Sequence, residues 1–133
     1  MSFVALSAVM LASCNKKNTV LGRWQMVEYC YGNDCVELLD YNINQIWELK
    51  PDAAEVFDSL FVAAEWHPGQ RSQDKVMNEN FMWALSADAD TLFVMSDDGS
   101  YVDDYCLASV DADTMVLSSM MSNILVVQRF VRL

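Results

Sequence analysis

The sequence predicts an all-β protein whose strands follow one another as an antiparallel, up-and-down meander. Its second half alternates short apolar runs with clusters of aspartate and glycine, the pattern of strands joined by hairpin turns. One cluster and the strand start that follows it, 88–92, recurs as 111–115 after a displacement of 23 residues. Two strands and two turns take about that length, so each repeat corresponds to one hairpin of the meander.

Turn-forming residues divide the chain into short strands along most of its length. The clearest turn is Asp97-Asp98-Gly99-Ser100, and the stretch from Tyr31 to Asp34 is a second turn of hairpin type. No linker or low-complexity stretch divides the body of the chain. The predicted strands, in order, are 22–31, 36–39, 43–49, 81–85, 91–95, 101–110, 114–117 and 124–133.

The segment 51–67 carries two competing patterns. Apolar residues spaced by four, with proline at both ends of the segment, fit an amphipathic helix. Two short runs, 55–57 and 60–62, instead fit strands, and the hairpin pattern on both sides of the segment favours that alternative. We therefore predict strand here, followed by a polar loop over 70–78.

The chain opens with an uncharged apolar run that ends in Leu11-Ala12-Ser13-Cys14. Small residues before a cysteine, behind about 12 apolar residues, resemble a bacterial lipoprotein signal and are too few to span a bilayer. The resemblance implies cleavage before Cys14, lipidation of its sulfur, and a lipid-anchored place in the cell envelope, with the outer membrane expected. A basic residue ahead of the run is missing, and a buried N-terminal strand or helix is the alternative.

These features divide the chain into a signal segment at 1–13, a polar tether at 14–20 and one domain at 21–133. A domain of this size buries enough surface for a real core. Acyl chains on Cys14 would provide the contact with the membrane, because each buried methylene contributes about 0.8 kcal/mol.

The chain is strongly acidic, with a formal net charge of −11 from 19 acidic and 8 basic residues. Such a surface repels phosphate backbones and anionic headgroups, which excludes nucleic acid as a partner and leaves membrane association to the lipid. The charge fits a solvated surface, and a basic partner or a divalent ion is the alternative. The paired aspartates lack the spacing of a calcium loop, so we predict no metal and no cofactor.

Cysteine use agrees with export. Cys30 and Cys35 flank the first hairpin turn, where cross-strand neighbours approach the roughly 5.5 Å between Cα atoms that a disulfide requires. We predict a Cys30–Cys35 bond with Cys106 free and buried, and pairing of Cys106 with either of the others is the alternative. Scattered cysteines and one histidine lack the ligand spacing of a zinc site.

Four short motifs occur in one order along the chain. They are Gly22-Arg23-Trp24, Asp90-Thr91-Leu92, Asp113-Thr114-Met115 and Phe130-Val131-Arg132. A glycine and a tryptophan two positions later resemble the opening of lipocalin folds, and the whole of 20–133 resembles the small lipocalin-like domains of Bacteroidota lipoproteins. Asp52-Ala53-Ala54 departs from that pattern, where an Asp-Gly turn is common.

The lipocalin resemblance implies an antiparallel barrel of about eight strands, which leaves no unpaired edge and has room for one small ligand. It also implies that Trp24, two residues after Gly22, closes one end of the barrel beneath a basic residue of the last strand. That residue would be Arg132, or Arg129 in a different register. A guanidinium over an indole contributes about 0.5–2 kcal/mol, so these residues read as structural.

The first functional hypothesis is a binding module for a small apolar ligand, because flexible thioethers and aromatic rings suit an adaptable cavity. The alternative for the same residues is plain core, in which case the barrel is filled. The second hypothesis is a non-catalytic interaction or structural module of the envelope with a protein partner, which requires an exposed apolar patch. The candidate lining residues are Met26, Trp47, Phe57, Met82, Trp83, Phe93 and Met95.

An enzyme is disfavoured, and we predict no catalytic residues. His67 is the single histidine and lies beside Pro68-Gly69, as expected of a solvated loop residue. No serine or cysteine lies in a recognisable nucleophile setting. Glu28 shares strand parity with Trp24, so it points inward unless a bulge turns it outward.

Overall fold

The computed structural model describes residues 17–52, 58–66, 75–96, 98–100 and 102–133. Nine antiparallel strands of these residues form one sheet, and a 3₁₀ helix at Leu38–Tyr41 follows the second strand. The strands are β1 (Gly22–Tyr31), β2 (Asp34–Glu37), β3 (Ile43–Lys50), β4 (Asp58–Trp66), β5 (Lys75–Leu85), β6 (Thr91–Ser96), β7 (Val102–Val110), β8 (Thr114–Met121) and β9 (Ile124–Arg132).

The sheet closes on itself through its first and last strands. β1 pairs with β9 from Trp24 to Tyr31, while its first four residues pair with β3. β3 to β9 pair in sequence order, so eight strands form a closed barrel and β2 is a short hairpin partner on the second half of β1. The predicted all-β, up-and-down barrel of about eight strands is confirmed.

The observed strands differ from the predicted ones around β4 and β5. The prediction of strand within 51–67 is correct for β4, whereas residues 53–57 and 67 lie outside the described residues. The polar loop predicted over 70–78 is wrong from residue 75, where β5 already begins. Its residues pair along the full length of β4, and this backbone pairing needs no apolar side chains at an exposed position such as Asn78.

Side chains fill one end of the barrel, which we call the closed half. Here β1, β4, β6 and β8 begin and β3, β5, β7 and β9 end, so their inward residues meet in one layer. Within the described part of the chain, the interior of this half is packed with side chains that are less than 2% exposed. They are Val20, Trp24, Leu49, Leu60, Trp83, Leu92, Met115, Leu117 and Phe130.

Arg132 and Trp24 form the outer layer of the closed half. The guanidinium carbon of Arg132 lies 4.0 Å from the centroid of the Trp24 ring, so it is Arg132, and not Arg129, that covers the indole. Its Nη1 donates to the Leu21 carbonyl at 2.7 Å, and its Nε donates to the Ala112 carbonyl at 2.6 Å. A third donor, Nη2, bonds the Thr19 carbonyl. This side chain thereby joins β9 to the segment before β1 and to the turn between β7 and β8.

Gly22 leaves the space that this guanidinium occupies. A Cβ at position 22 would lie 2.8 Å from Nη1 of Arg132, and the backbone φ of +120° is one that other residues rarely adopt. The described part of the predicted tether, 17–20, is helical and packs on the closed half. Val20 is fully buried there, and its carbonyl accepts the Trp24 Nε1 proton at 2.8 Å.

A β-bulge in β1 sets which side chains enter the barrel. The pairing with β9 shifts between Met26 and Glu28, which moves Glu28 to the outside. There its carboxylate lies 3.7 Å from Nε of Arg129. The same shift turns Tyr29 inward, against the core. The sequence left two orientations open for the Glu28 side chain, and the outward one, which requires the bulge, is observed.

The cysteines follow the prediction in pairing but not in burial. Cys30 and Cys35 stand directly opposite each other and form the predicted disulfide. Cys106 is a free thiol, as predicted, but it is exposed and not buried. The reason is its strand parity: Leu107 next to it is buried, so Cys106 lies on the outer face of β7.

The turn between β6 and β7 lowers the pKa of the Asp98 carboxyl, and this effect can be tested by titration. Hydrogen bonds from the hydroxyl and amide of Ser100, and then from the hydroxyl of Ser96, lower the pKa of the Asp98 carboxyl from 3.8 to about 2. The ionised carboxylate therefore stabilises the fold above about pH 4, and this contribution is lost as the pH falls through about 2. An NMR titration of the Asp98 carboxyl carbon should give a midpoint near 2.

Ser100→Ala should raise that midpoint towards 3.8, because the Ser100 hydroxyl makes the largest contribution to the shift. A midpoint near 3.8 in the unmodified protein, or an unchanged midpoint in Ser100→Ala, would show that the turn does not hold the carboxylate as described.

The barrel mouth as a candidate ligand site

The barrel wall opens between β7 and β8 at the end opposite the closed half. The two strands pair only from Cys106 to Val110 and from Met115 to Ser118. Beyond those pairs, the described residues 102–105 pair with β6 and 119–121 pair with β9, with no register between them. The strands therefore separate at this end, which we call the mouth.

Two recesses occupy the mouth, with volumes of about 200 and 240 Å³ as bounded by the described residues. The first lies in the gap between β7 and β8, and the second lies above the core, between β3, β5 and β7. Both recesses are lined by Asp103, Tyr105 and Gln128, so they adjoin. The further lining residues of the first are Tyr29, Asp104, Ser119, Met120, Met121 and Val126, and those of the second are Gln45, Trp47, Leu60, Val62, Glu79, Phe81 and Val94.

Aromatic side chains form the floor and one wall of the recesses. The ring of Trp47 packs on Phe130 of the closed half, with centroids 5.0 Å apart, and meets Tyr105 edge-to-face at 5.9 Å. Its Nε1 donates to the side-chain oxygen of Gln45 at 2.9 Å, which fixes the ring. Tyr105 in turn donates from its hydroxyl to Asp103 at 3.2 Å. The aromatic wall is therefore held in place before any ligand arrives.

Gln128 is the buried polar group of the site. The residue is 9% exposed and lies on β9 between inward-facing Val126 and Phe130. Its amide nitrogen donates to the sulfur of Met26 at 3.9 Å, a weak acceptor. Within the described part of the chain, this is the one hydrogen bond of its side chain. An amide that lines both recesses offers one donor group and one acceptor to a polar ligand.

Sequence reasoning did not identify Gln128, Tyr105 or Phe81. The available signal was a glutamine at an inward position of an otherwise apolar strand, at alternating spacing with Val126 and Phe130. To use this signal, one must know which residues of β9 face the barrel interior. A bulge such as the one in β1 changes the facing residues along a strand, so this assignment is uncertain from the sequence alone.

The predicted lining residues separate into four groups, of which the last is corrected below. Met26 and Trp47 lie inside the barrel, and Trp47 lines a recess. Trp83 lies inside but in the closed half, fully buried, where it belongs to the core. Phe57 and the predicted lipidation site Cys14 lie outside the described residues.

The other three predicted lining residues require correction. Met82, Phe93 and Met95 alternate with the buried Trp83, Leu92 and Val94, so they lie on the outer face of the barrel. The prediction used their apolar character, whereas strand parity decides which face a side chain occupies.

One group of described residues has donor atoms close enough together for a metal ion. These are Glu28, Cys30 and Cys35, whose donor atoms lie within 4.8 Å of one another. Both sulfurs belong to the disulfide, and a metal requires thiolates, so the oxidised protein has no metal site here.

Comparison with known proteins identifies the architecture. No family model matches the chain, and no curated protein matches its sequence. Among solved structures, japanin from Rhipicephalus appendiculatus, solved bound to cholesterol, superposes with a TM-score of 0.62 at 12% identity, over 86% of this chain and 76% of japanin. The fold is lipocalin-like. Among the described residues, no helix has the length and hydropathy needed to cross a membrane.

Proposed function

We propose that this protein is a non-catalytic binding module that holds a small, partly apolar ligand at the mouth of its lipocalin-like barrel. The observation that carries the proposal is the division of the interior, with a closed half packed by side chains and a mouth that contains two adjoining recesses. The described side chains fill the closed half, which supports a ligand held at the mouth instead of one enclosed along the barrel axis. The aromatic wall and Gln128 provide apolar contact and one polar anchor at the mouth.

The size of the recesses points to a small ligand or to one end of a larger ligand. Pockets for drug-sized ligands are typically about 300–1,000 Å³, and each recess is smaller. Japanin, which shares the fold, was solved bound to cholesterol, and this supports a small, largely apolar molecule as the first class to test.

We further propose that the protein is exported and anchored to the outer membrane through lipid on Cys14. The Cys30–Cys35 disulfide supports an oxidising compartment. Lys17 lies on the closed half, with its Nζ 5.9 Å from the centroid of the Trp83 ring. Three residues span at most about 11 Å, so an anchor at Cys14 would hold the closed half next to the membrane and leave the mouth directed away from it.

A second candidate function is docking to a protein of the envelope. Its support is an exposed apolar pair near the mouth, Met120 and Leu125, which stand opposite each other on β8 and β9 and are 63% and 51% exposed. A photocrosslinking residue placed at 120 in cells should form one defined adduct that is absent when the crosslinker is placed at Asp113. Without that adduct, the ligand function stands alone.

Binding of the neutral fluorophore N-phenyl-1-naphthylamine tests the ligand proposal. Phe81→Ala and Met82→Ala form a matched pair, because these neighbours on β5 are both half-buried but face the recess and the outside, respectively. We expect saturable binding to the native protein, about tenfold weaker binding to Phe81→Ala from the loss of aromatic contact, and unchanged binding to Met82→Ala. Urea denaturation of both variants measures their stabilities separately.

No saturable binding of this fluorophore, or equal loss in both variants, would contradict a ligand site at the mouth.

A further inference from the structure

We propose that reduction of the Cys30–Cys35 disulfide creates a binding site for a thiophilic divalent cation such as Zn²⁺, held by both sulfurs and by the Glu28 carboxylate. This inference is independent of the ligand site at the mouth. These three side chains are the group of described residues whose donor atoms lie within 4.8 Å of one another. In the oxidised protein the site is masked, because the two sulfurs are bonded to each other.

Two features of β1 bring the three ligands together. The hairpin turn places Cys30 directly opposite Cys35, with four residues between them, a spacing that paired cysteines of zinc sites share. The bulge then turns the Glu28 side chain to the outer face of the strand, the face that Cys30 also occupies. A cysteine pair alone is too few for a zinc site, and it is the bulge, not a sequence motif, that supplies the third ligand.

The distances between the donor atoms fit one tetrahedral zinc ion. Oε1 of Glu28 lies 3.7 Å from the sulfur of Cys30. Bonds of about 2.3 Å to sulfur and about 2.1 Å to oxygen place two such donors about 3.6 Å apart on tetrahedral zinc. The two sulfurs must separate to about 3.8 Å, which requires that their bond be broken. Cys35 is exposed, so water can complete the coordination.

The strands that carry the ligands should stay paired when the disulfide is opened. β1 pairs with β9 from Trp24 to Tyr31, so Glu28 and Cys30 are held in place without β2. Cys35 is held by the backbone pairing of β2 with β1. A disulfide that closes so short a loop also removes little chain entropy, so the fold loses little stability on reduction.

Opening the site requires an external dithiol as the reductant. Because Cys35 is exposed, a thiolate of that dithiol can attack its sulfur, and Cys30 leaves as a thiolate when the S–S bond breaks. The second thiol of the reductant then displaces Cys35, so two electrons pass to the protein and the reductant leaves as its own disulfide. The metal binds the two thiolates, and the thiol protons are released to water.

Two charged side chains border the proposed site. Nε of Arg129 lies 3.7 Å from Oε1 of Glu28, and its Nη2 lies 3.7 Å from a carboxylate oxygen of Glu37, which stands opposite Glu28. The guanidinium therefore competes with a metal ion for the Glu28 carboxylate. Two thiolates and two carboxylates around one guanidinium still leave a net negative charge, which favours a divalent cation.

Zinc titration of the full chain with Cys14→Ser and Cys106→Ser tests the inference, because Cys30 and Cys35 are then its only cysteines. The protein is reduced with dithiothreitol, which is removed under nitrogen before isothermal titration calorimetry. We expect one zinc ion per reduced chain, and binding to the oxidised chain that is weaker by about a hundredfold or more. Cobalt in place of zinc should give sulfur-to-metal charge-transfer absorption, which carboxylates alone do not give.

Three variants of the reduced chain locate the third ligand. Glu28→Gln should weaken zinc binding by about tenfold or more, because an amide is a poorer ligand than a carboxylate. Glu37→Gln removes the same charge from the position opposite Glu28 and should change the affinity by less than about threefold. Arg129→Gln should strengthen zinc binding by about two- to threefold, because the competing cation is removed.

Equal zinc affinity in the oxidised and reduced chains, or no zinc binding to the reduced chain, overturns the proposed site. Equal weakening in Glu28→Gln and Glu37→Gln overturns Glu28 as a ligand, because charge alone would then account for the effect. Loss of the native circular dichroism spectrum on reduction also overturns the proposal, since the site requires the hairpin to persist without its disulfide. None of these results bears on the mouth, which the fluorophore tests in the oxidised protein.

Discussion

Replacing Trp83 with alanine is expected to lower the free energy of unfolding by about 4 kcal/mol, since Trp→Ala changes in cores typically cost about 3–5 kcal/mol. The side chain is fully buried in the closed half. Its Nε1 donates to the carbonyls of Lys50 and Ser59, at 3.2 and 3.1 Å, so the indole joins the end of β3 to the start of β4. The alanine variant loses both the packing and the bridge.

Trp83→Phe separates the two contributions, because it keeps a ring but removes the donor. We expect a loss of about 1–2 kcal/mol, from two carbonyls left without their partner and from the smaller ring. Urea denaturation followed by circular dichroism measures both variants. Affinity for N-phenyl-1-naphthylamine in the folded fraction should stay unchanged, because Trp83 does not line either recess; a large loss of affinity with full stability would place the ligand in the closed half.

Replacing Arg132 with alanine is expected to cost about 3 kcal/mol. The variant loses the cation–π contact with Trp24 and three hydrogen bonds from a charged donor, of which the partly exposed ones contribute least. The carbonyls of Thr19 and Leu21 then lose their donor, and the packing of 17–20 on the closed half weakens. Hydrogen exchange should rise first in the β1 residues next to Trp24.

Arg129→Ala is the matched control for Arg132→Ala. Arg129 lies on the same strand and also pairs with acidic groups, but its side chain is 42% exposed and its ion pairs with Glu28 and Glu37 are 3.7 Å long. Exposed pairs of this kind contribute about 0–1 kcal/mol, so the loss should stay below about 1 kcal/mol. Equal losses in the two variants would contradict Arg132 as the residue that closes the barrel.

The sequence was sufficient to predict the features that depend on local chemistry. Aspartate and glycine turns predicted the meander, and β1 begins and ends at the predicted residues because turn formers bound it on both sides. The Cys30–Cys35 bond followed from the hairpin between the two residues. In each case the residues that carry the signal are neighbours in the chain or across one turn.

The mouth could not be predicted in the same way, because it depends on register and on where pairing stops. Met82 and Met95 looked like lining residues until the parity of β5 and β6 placed them outside. The separation of β7 from β8 is a property of two hairpins, each paired to its own neighbour. No short motif encodes either feature, and the burial of Gln128 is equally a consequence of register.

Methyl NMR of methionine-labelled protein tests the central claim, which is that ligand space exists at the mouth and not in the closed half. Met121 lies at the mouth, Met26 contacts Gln128, Met115 is fully buried in the closed half, and Met82 and Met95 lie outside. Saturation with N-phenyl-1-naphthylamine should shift the methyl signals of Met121 and Met26 and leave the other three unchanged. A shift of Met115, or of the outer pair without Met121, would contradict the claim.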